Sequence, residues 1–431
     1  MVSRAIFADE AIYRLELERV FGRCWLFLGH ESLLPAPGDY VTNYMGEDAM
    51  IVCRDPAGRL GAFLNTCTHR GNKVCLFERG HATTFTCTYH GWSFDTAGRL
   101  CGVPHLEEAY YGRLDRERLG LVRVPRVESY GGLIFGCWDA DAPSLDDYLG
   151  DVRWYLDRLY LVDDFGGLEV LPGRQSYVLP GNWKTPAENF AGDHYHTLVT
   201  HASSLRLGLA QRSYSASESH DQGPFEIALA PGHGLGGIYT GAGPFERDLR
   251  LAEELGAEAV DYVRERYRRQ LERLRDVAAK PYGFSHGTIF PNLSLNGASS
   301  AFQGRGLFLW QPLGPLQTRV LQWCAVERQA PAVVKERAAE QYSRWFSGSG
   351  LFGQDDGENC ERVMEATCTP RAQQVPFHYA MGLGCEGHWP GMAAWDVAEL
   401  PGQVGPHFSE HTQRQYFGYW AALMARPEGA A

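Results

Sequence analysis

The sequence predicts an α+β protein in two parts: a small all-β unit, then a larger one in which helices pack on one antiparallel sheet. Three observations carry that expectation. From about residue 37 to 140, short β-rich runs such as AMIVCR, GAFLNTC, TTFTCTYH and GLIFGCW are punctuated by DPAG at 55–58 and DTAG at 95–98, which are hairpin signals. Beyond residue 150, strand-like segments (SYVLPGNWK, FLWQPLG, TRVLQWCAVE) are interleaved with helix-like runs at 186–200, 246–278 and 331–346. At 431 residues the chain is also long enough to bury two cores.

Ahead of the β-rich stretch, DEAIYRLELERVFGRCWLFL (9–28) places Ile12, Leu15, Val20 and Phe21 behind Asp9 as N-cap, which predicts a short amphipathic helix. The basic run ERYRRQLERLR (265–275) contains Glu265 and Glu272 at pairing distance, so it predicts a solvated helix face rather than a nucleic-acid surface. Hydrophobic residues make up 44% and charged residues 21%, as in an ordinary soluble protein. The net charge of −12 makes nucleic acid and anionic membrane poor partners and suits a basic protein partner. No run approaches about 18 apolar residues, and the charged N-terminus lacks a targeting segment. Eleven scattered cysteines fit a reduced cytoplasm, with some serving as metal ligands or buried hydrophobes.

The first chemical constellation is CTHRG (67–71) and CTYHGW (87–92), with seventeen residues between His69 and Cys87. Each loop offers one thiolate and one imidazole. A structural zinc accepts such donors, but its usual pattern pairs cysteine with cysteine and histidine with histidine. A Rieske [2Fe–2S] centre needs the mixed order, since two cysteines hold one iron and two histidines the other.

The second is ENFAGDHYHTLVTH (188–201), three histidines beside Asp193 in a chain with 15 histidines in all. On a straight helix His194 and His201 share a face but stand roughly 10 Å apart along the axis. His196 and His201 are closer, yet about 140° apart around it. A straight helix therefore serves no pair, and local geometry leaves metal binding open. If His196 and His201 do converge, the helix must bulge or end between them.

Both stretches resemble the motifs of aromatic-ring-hydroxylating Rieske non-haem iron dioxygenase large (alpha) subunits, and the likeness runs nearly the whole chain from IYRLELERVFGRCWLFLGHESLLPAPGDY onward. Within that family the N-terminal segment is most similar to the biphenyl, phenylpropionate and polycyclic-hydrocarbon branch. Two positions depart from it: Thr88 stands where proline is usual, and His81 near a usual asparagine. Neither is a ligand position. The resemblance implies that Cys67, His69, Cys87 and His90 hold the cluster, and that His196, His201 and Asp356 (in FGQDDGENC) hold a mononuclear Fe(II) as a facial triad. Taken alone, Asp355-Asp356-Gly357 reads as a turn or helix cap. Asp193 is implied to bridge His196 and the His90 of a neighbouring subunit. Phe190, His286, Phe346 and Phe352 are similar in position to substrate-pocket residues, and His194 is left as a helix-surface or supporting residue.

The implied fold is a Rieske domain at 37–155 within a helix-grip catalytic domain formed by 1–36 and 156–431. The implied activity is that of a terminal oxygenase that cis-dihydroxylates an aromatic substrate with O2. Its electrons come from NADH through a reductase and ferredoxin. The resemblance also implies a trimer of alpha subunits, with a small beta subunit as α3β3. A Rieske monooxygenase uses the same motifs. A cluster-only electron carrier leaves the second constellation and most of the chain unexplained.

Overall fold

The computed structural model describes residues 1–207, 225–240, 243–276, 282–386 and 400–426. The chain divides into two compact units, Phe21–Leu145 and Met1–Val20 with Asp146–Ala431. The strands of the first unit are β1 (Leu26–His30), β2 (Asp39–Met45), β3 (Asp48–Arg54), β4 (Leu60–Leu64), β5 (Arg79–His81), β6 (Thr84–Thr86), β7 (Ser93–Asp95), β8 (Leu100–Gly102), β9 (Arg126–Tyr130) and β10 (Leu133–Cys137). They pair antiparallel as three sheets, β1-β10-β9, β4-β3-β2-β5 and β6-β7-β8. The two expected hairpin turns are built alike. Asp55 accepts from the Ala57 and Arg59 N–H groups between β3 and β4, and Asp95 from those of Ala97 and Arg99 between β7 and β8, all at 2.9 Å. Ile51, Phe63, Phe85, Trp92 and Phe94 close a core that also contains Cys67 and Cys87.

This unit starts and ends earlier than 37–155. It starts at Phe21 because β1 pairs with β10, so the helix expected over 9–28 is confined to α1 (Glu10–Arg19). Its cap is as expected: Asp9 Oδ1 accepts from the N–H groups of Ala11 (2.7 Å) and Ile12 (3.0 Å). It ends at Leu145 because the residues that follow are tied to the other unit, where the Tyr148 and Tyr155 hydroxyls donate to the Phe290 and Pro401 carbonyls, both at 2.7 Å.

The second unit is organised by a ten-stranded antiparallel sheet. Its strands are β11 (Leu168–Val170), β12 (Gln175–Leu179), β13 (Phe225–Leu229), β14 (His233–Thr240), β15 (Tyr282–Gly283), β16 (His286–Ile289), β17 (Leu293–Asn296), β18 (Arg305–Pro312), β19 (Thr318–Glu327) and β20 (Gln403–Pro406). The main order is β11-β19-β18-β17-β16-β14-β13-β20, with β12 on β19 and β15 on β14. The helices that matter for the site are α2 (Lys184–Gly192), α3 (Thr197–Thr200), α4 (Gly243–Leu255), α5 (Ala257–Leu274), α6 (Ala332–Phe346), α7 (Leu351–Thr367) and α8 (His411–Ala425). The run expected as one helix over 246–278 is broken at Gly256, whose φ of +108° no other residue adopts cheaply, and residues 277–278 lie outside the described residues. As the charge spacing predicted, α5 carries Glu265–Arg268, Glu265–Arg269 and Arg268–Glu272 pairs. Among the described residues no helix is long and apolar enough to cross a membrane.

Helix α2 lies on β14, β16 and β17, with α8 beside it. Its start is pinned from below. Glu16 on α1 is fully buried and accepts from Lys184 Nζ (2.6 Å), Trp183 Nε1 (2.9 Å) and Trp420 Nε1 (2.8 Å). Lys184 is equally buried, and burial lowers its pKa against the pull of Glu16. A second buried network anchors α5 to the sheet: Glu327 accepts from Tyr262 (2.6 Å), Arg266 (3.0 Å) and Arg305 (2.7 Å). Burial alone would raise the Glu327 carboxyl, but the two guanidiniums outweigh it and hold it down to about 2.

Removing one partner of a buried ion pair strands the other charge, so Glu16→Ala should lower stability by about 3–5 kcal/mol, read from urea unfolding. Glu16→Leu with Lys184→Met should cost much less, and equal losses would contradict the account. The stability contributed by Glu327 is complete above its ordinary pKa of 4.5 and is lost as pH falls toward about 2. Glu327→Gln should therefore destabilise strongly at pH 7 and less at pH 3, by the same measurement.

Candidate metal centres

The two loops of the first unit share one turn. In the first, the Cys67 N–H donates to the Asn72 carbonyl and the Gly71 N–H to the Cys67 carbonyl, both at 2.8 Å. In the second, the Cys87 N–H donates to the Trp92 carbonyl (2.8 Å) and the Gly91 N–H to the Cys87 carbonyl (2.9 Å). The repeat brings the His69 and His90 rings to 4.5 Å, and the Trp92 indole stacks on His69 at 4.8 Å with only 7° between planes. Both cysteines are buried neighbours. Burial pushes the Cys67 thiol up. At Cys87 burial is outweighed by the Tyr89 N–H, the Asn72 amide (3.7 Å from Sγ) and the His90 N–H, so its thiol lies lower than usual. Burial, and after it the neighbouring His90 and Arg70, lower the His69 pKa, which favours its neutral ring. The two loops thus bring two sulfur and two imidazole donors together, and metal binding would draw the proton from the Cys67 thiol.

Among the described residues, the acid, histidine and cysteine donors that gather within 4.8 Å of one another belong to His196, His201 and Asp356.

The His196–His201–Asp356 group is assembled from two helical segments and one helix. Helix α2 stops at Gly192, which has no room for a side chain: a Cβ there would lie 2.3 Å from Thr412 Oγ1 and 2.9 Å from Glu226 Oε2. Asp193 leaves helical geometry (φ −85°, ψ 72°), and one turn, α3, then separates the two histidines. The break expected between His196 and His201 instead flanks them. His196 begins the turn in helical geometry, and His201 ends it at φ −97°, ψ 18°. A turn this short carries little rise, and Asp356 closes the remaining angle from the side. His196 Nε2 lies 3.5 Å and His201 Nε2 3.2 Å from Asp356 Oδ1, and the two rings stand 5.3 Å apart. Asp355 and Asp356 sit inside α7 and form neither a turn nor a cap.

Each imidazole has its second nitrogen engaged. His196 Nδ1 donates to the Asp193 carbonyl oxygen, with Asp193 Oδ2 at 3.5 Å. His201 Nδ1 faces Asp355 Oδ2 at 3.0 Å. Both tautomers are thereby set with Nε2 toward Asp356. Asp193 is held in turn by the His196 N–H on Oδ1 and the Asn189 amide on Oδ2, each at 3.2 Å. Burial opposes ionisation here, yet His196 holds Asp193 low, and both histidines hold Asp356 down to about 2. Asp193 and Asp356 raise His196 to about 10 against its own burial. The nearby Glu188 is pushed up to about 8, by burial first and then by the Asp193 charge. His194 is not on the surface: it is buried, its N–H donates to Glu226 (3.2 Å), and its ring is parallel to His286 at 5.9 Å.

Two cavities, of about 480 and 460 Å³, meet at Asn189, Phe190, His196, Phe346 and Asp356. The first opens on the Asp193 side, past Glu188, Tyr379 and Glu410. The second opens on the His201 side, and all four expected pocket residues, Phe190, His286, Phe346 and Phe352, line it. Phe352 lies 4.3 Å from the His201 ring and 5.8 Å from Phe346. Burial lowers His286 to about 4, leaving it neutral beside Phe190. Sequence reading missed Asp355, whose only signal was its adjacency to Asp356, and Trp183 and Lys184, whose partner Glu16 is far away in the chain.

The description "Ring hydroxylating alpha subunit (catalytic domain)" matches residues 145–419, and "Rieske [2Fe-2S] domain" matches residues 24–128. The chain is 38% identical to biphenyl 2,3-dioxygenase subunit alpha of Rhodococcus jostii strain RHA1, over 99% of this chain and 89% of that one. It is 36% identical to benzene 1,2-dioxygenase subunit alpha of Pseudomonas putida, over 99% and 91%. The fold superposes on naphthalene 1,2-dioxygenase from Rhodococcus sp. bound to indole with a TM-score of 0.83 at 36% identity, covering 99% and 95% of the two chains. A Rieske [2Fe–2S] cluster and a mononuclear iron are the cofactors these two domains carry, and the donor sets described above fit them. With both domains present in order and relatives matched end to end, the chain belongs to the ring-hydroxylating alpha subunits.

Proposed function

We propose that this chain is the oxygenase large subunit that cis-dihydroxylates an aromatic ring with O2, drawing electrons from NADH through a reductase and ferredoxin in the cytoplasm. One observation carries the reading: His196, His201 and Asp356 converge at the junction with an aromatic-walled cavity. Three protein donors on one face leave the opposite positions of an octahedral ion free. Cys67, His69, Cys87 and His90 hold the cluster; His196, His201 and Asp356 hold the mononuclear iron. When bound, the cluster relays single electrons and the iron activates O2.

The chain's own residues orient and shelter the reaction. Phe190, Phe346 and Phe352 offer flat apolar faces to a ring, and the neutral His286 adds a polar contact among them. Asp193 fixes His196 on one side and accepts from His90 of a neighbouring copy on the other, linking the two centres across a subunit boundary. Exposed apolar side chains support that pairing, with Phe77 and Tyr89 near the cluster loops and Tyr195 and Val199 near Asp193. The assembly is a trimer of these subunits with a small beta subunit, α3β3; the relatives' designation "subunit alpha" supports the presence of a second kind of subunit.

Asp356→Ala should lose the mononuclear iron while the Rieske absorption persists. Asp355→Asn should retain it with about 10–100-fold weaker affinity, as expected for a carboxylate that orients a ligand. Metal analysis with the visible spectrum separates them, and iron loss from Asp355→Asn alone would reverse the assignment. Asp193→Asn should keep both metals and lose most turnover in O2-uptake assays with a reductase. Wild-type rates in that variant would remove the bridge.

A further inference from the structure

The cavity on the His201 side carries more positive charge than an aromatic wall requires. Arg247, Arg250, Arg337 and Arg344 line it, and among the described residues Glu254 is the one carboxylate there besides Asp356. The arginines come from α4 and α6, which pack through one apolar cluster that includes Leu249, Ala252, Val333 and Val334. Two chain segments far apart in sequence thus bring cations to one chamber.

Their internal partners are poor. Arg247 stands 3.7 Å from Asp248, whose carboxylate is already taken by the Ser300 hydroxyl (2.7 Å) and the Ala301 N–H (2.6 Å). Arg337 reaches only the solvent-exposed Glu340 at 3.1 Å. The Nε atoms of both are buried without a hydrogen-bond partner among the described residues. A buried N–H left unpaired is costly, and a neutral hydrocarbon would leave these unmet. A carboxylate would satisfy them, because its two oxygens match the guanidinium fork.

We propose, on the basis of the oxygenase reading above, that the chain's preferred substrate is an aromatic acid, its ring against Phe190, Phe346 and Phe352 and its carboxylate held by Arg247 and Arg337. The α4–α6 side of the cavity is then a carboxylate subsite that the sequence, with 40 lysines and arginines in all, gave no means of singling out.

Calorimetric titration of the metal-loaded holoenzyme with 3-phenylpropionate and with its neutral counterpart propylbenzene tests this without relying on turnover. Wild-type protein should prefer the acid, with an affinity that weakens as salt rises. That preference should fall about tenfold or more in Arg247→Gln and in Arg337→Gln, the loss of one charged hydrogen bond, and recover in part in Arg247→Lys. Binding of propylbenzene but not phenylpropionate by wild-type protein overturns the proposal, as does an equal loss for both ligands in the variants. Binding of the acid without any O2 uptake or product from either ligand would instead count against the oxygenase reading and leave the carboxylate subsite standing.

Discussion

The second metal centre depends on where α2 begins, and a buried charge decides that. Glu16 has no access to water, and Lys184, Trp183 and Trp420 all donate to its side chain, so none of its oxygens is left unmet in the core. Three donors from two separate helices, together with the acceptor on α1, over-determine the geometry. Any rotation of α2 about its axis would strand the lysine in the core. Asn189, Phe190 and Asp193 therefore take up fixed positions along the same helix and its end. Such a pair contributes little net stability compared with a well-packed apolar cluster of the same shape, and its value here is in the one arrangement it permits.

Electrostatics at the triad follow from that placement. Asp193, Asp356 and Asp355 surround two imidazoles, so each ring has a carboxylate or carbonyl on its far nitrogen and the shared Asp356 on its near one. Concentrating acids around cationic centres has a neighbouring cost. Glu188 cannot easily ionise in the same field, and the raised carboxyl donates or accepts at Tyr379 as a neutral group near pH 7.

The Cys-X-His and Cys-X-X-His spacings named the cluster loops, because donor type and sequence neighbourhood are both readable in one dimension. The hairpin turns were readable for the same reason, since Asp55 and Asp95 satisfy N–H groups two and four residues away. The histidine cluster was harder. The run 186–200 reads as one helix with a break after His196, but the break lies earlier, where Gly192 meets Thr412 and Glu226, residues that no local pattern links to it. The unit boundaries at 21 and 145 were obscured likewise, since β1 finds its partner β10 about a hundred residues on. Asp355 and the α4 and α6 arginines depend wholly on tertiary packing, and their sequence context reads as ordinary helix surface.

The triad stands as a partition between two chambers rather than at the bottom of one. Asn189, Phe190, His196, Phe346 and Asp356 belong to both walls, whereas the residues beyond them are almost entirely separate. Helix α4 lines the His201 chamber alone, whereas α6 through Phe346 and α7 through Gly353 also wall the Asp193 chamber, so α4 is where the first can change without the second. A single triad can in this way face two chambers whose walls are otherwise built from different residues.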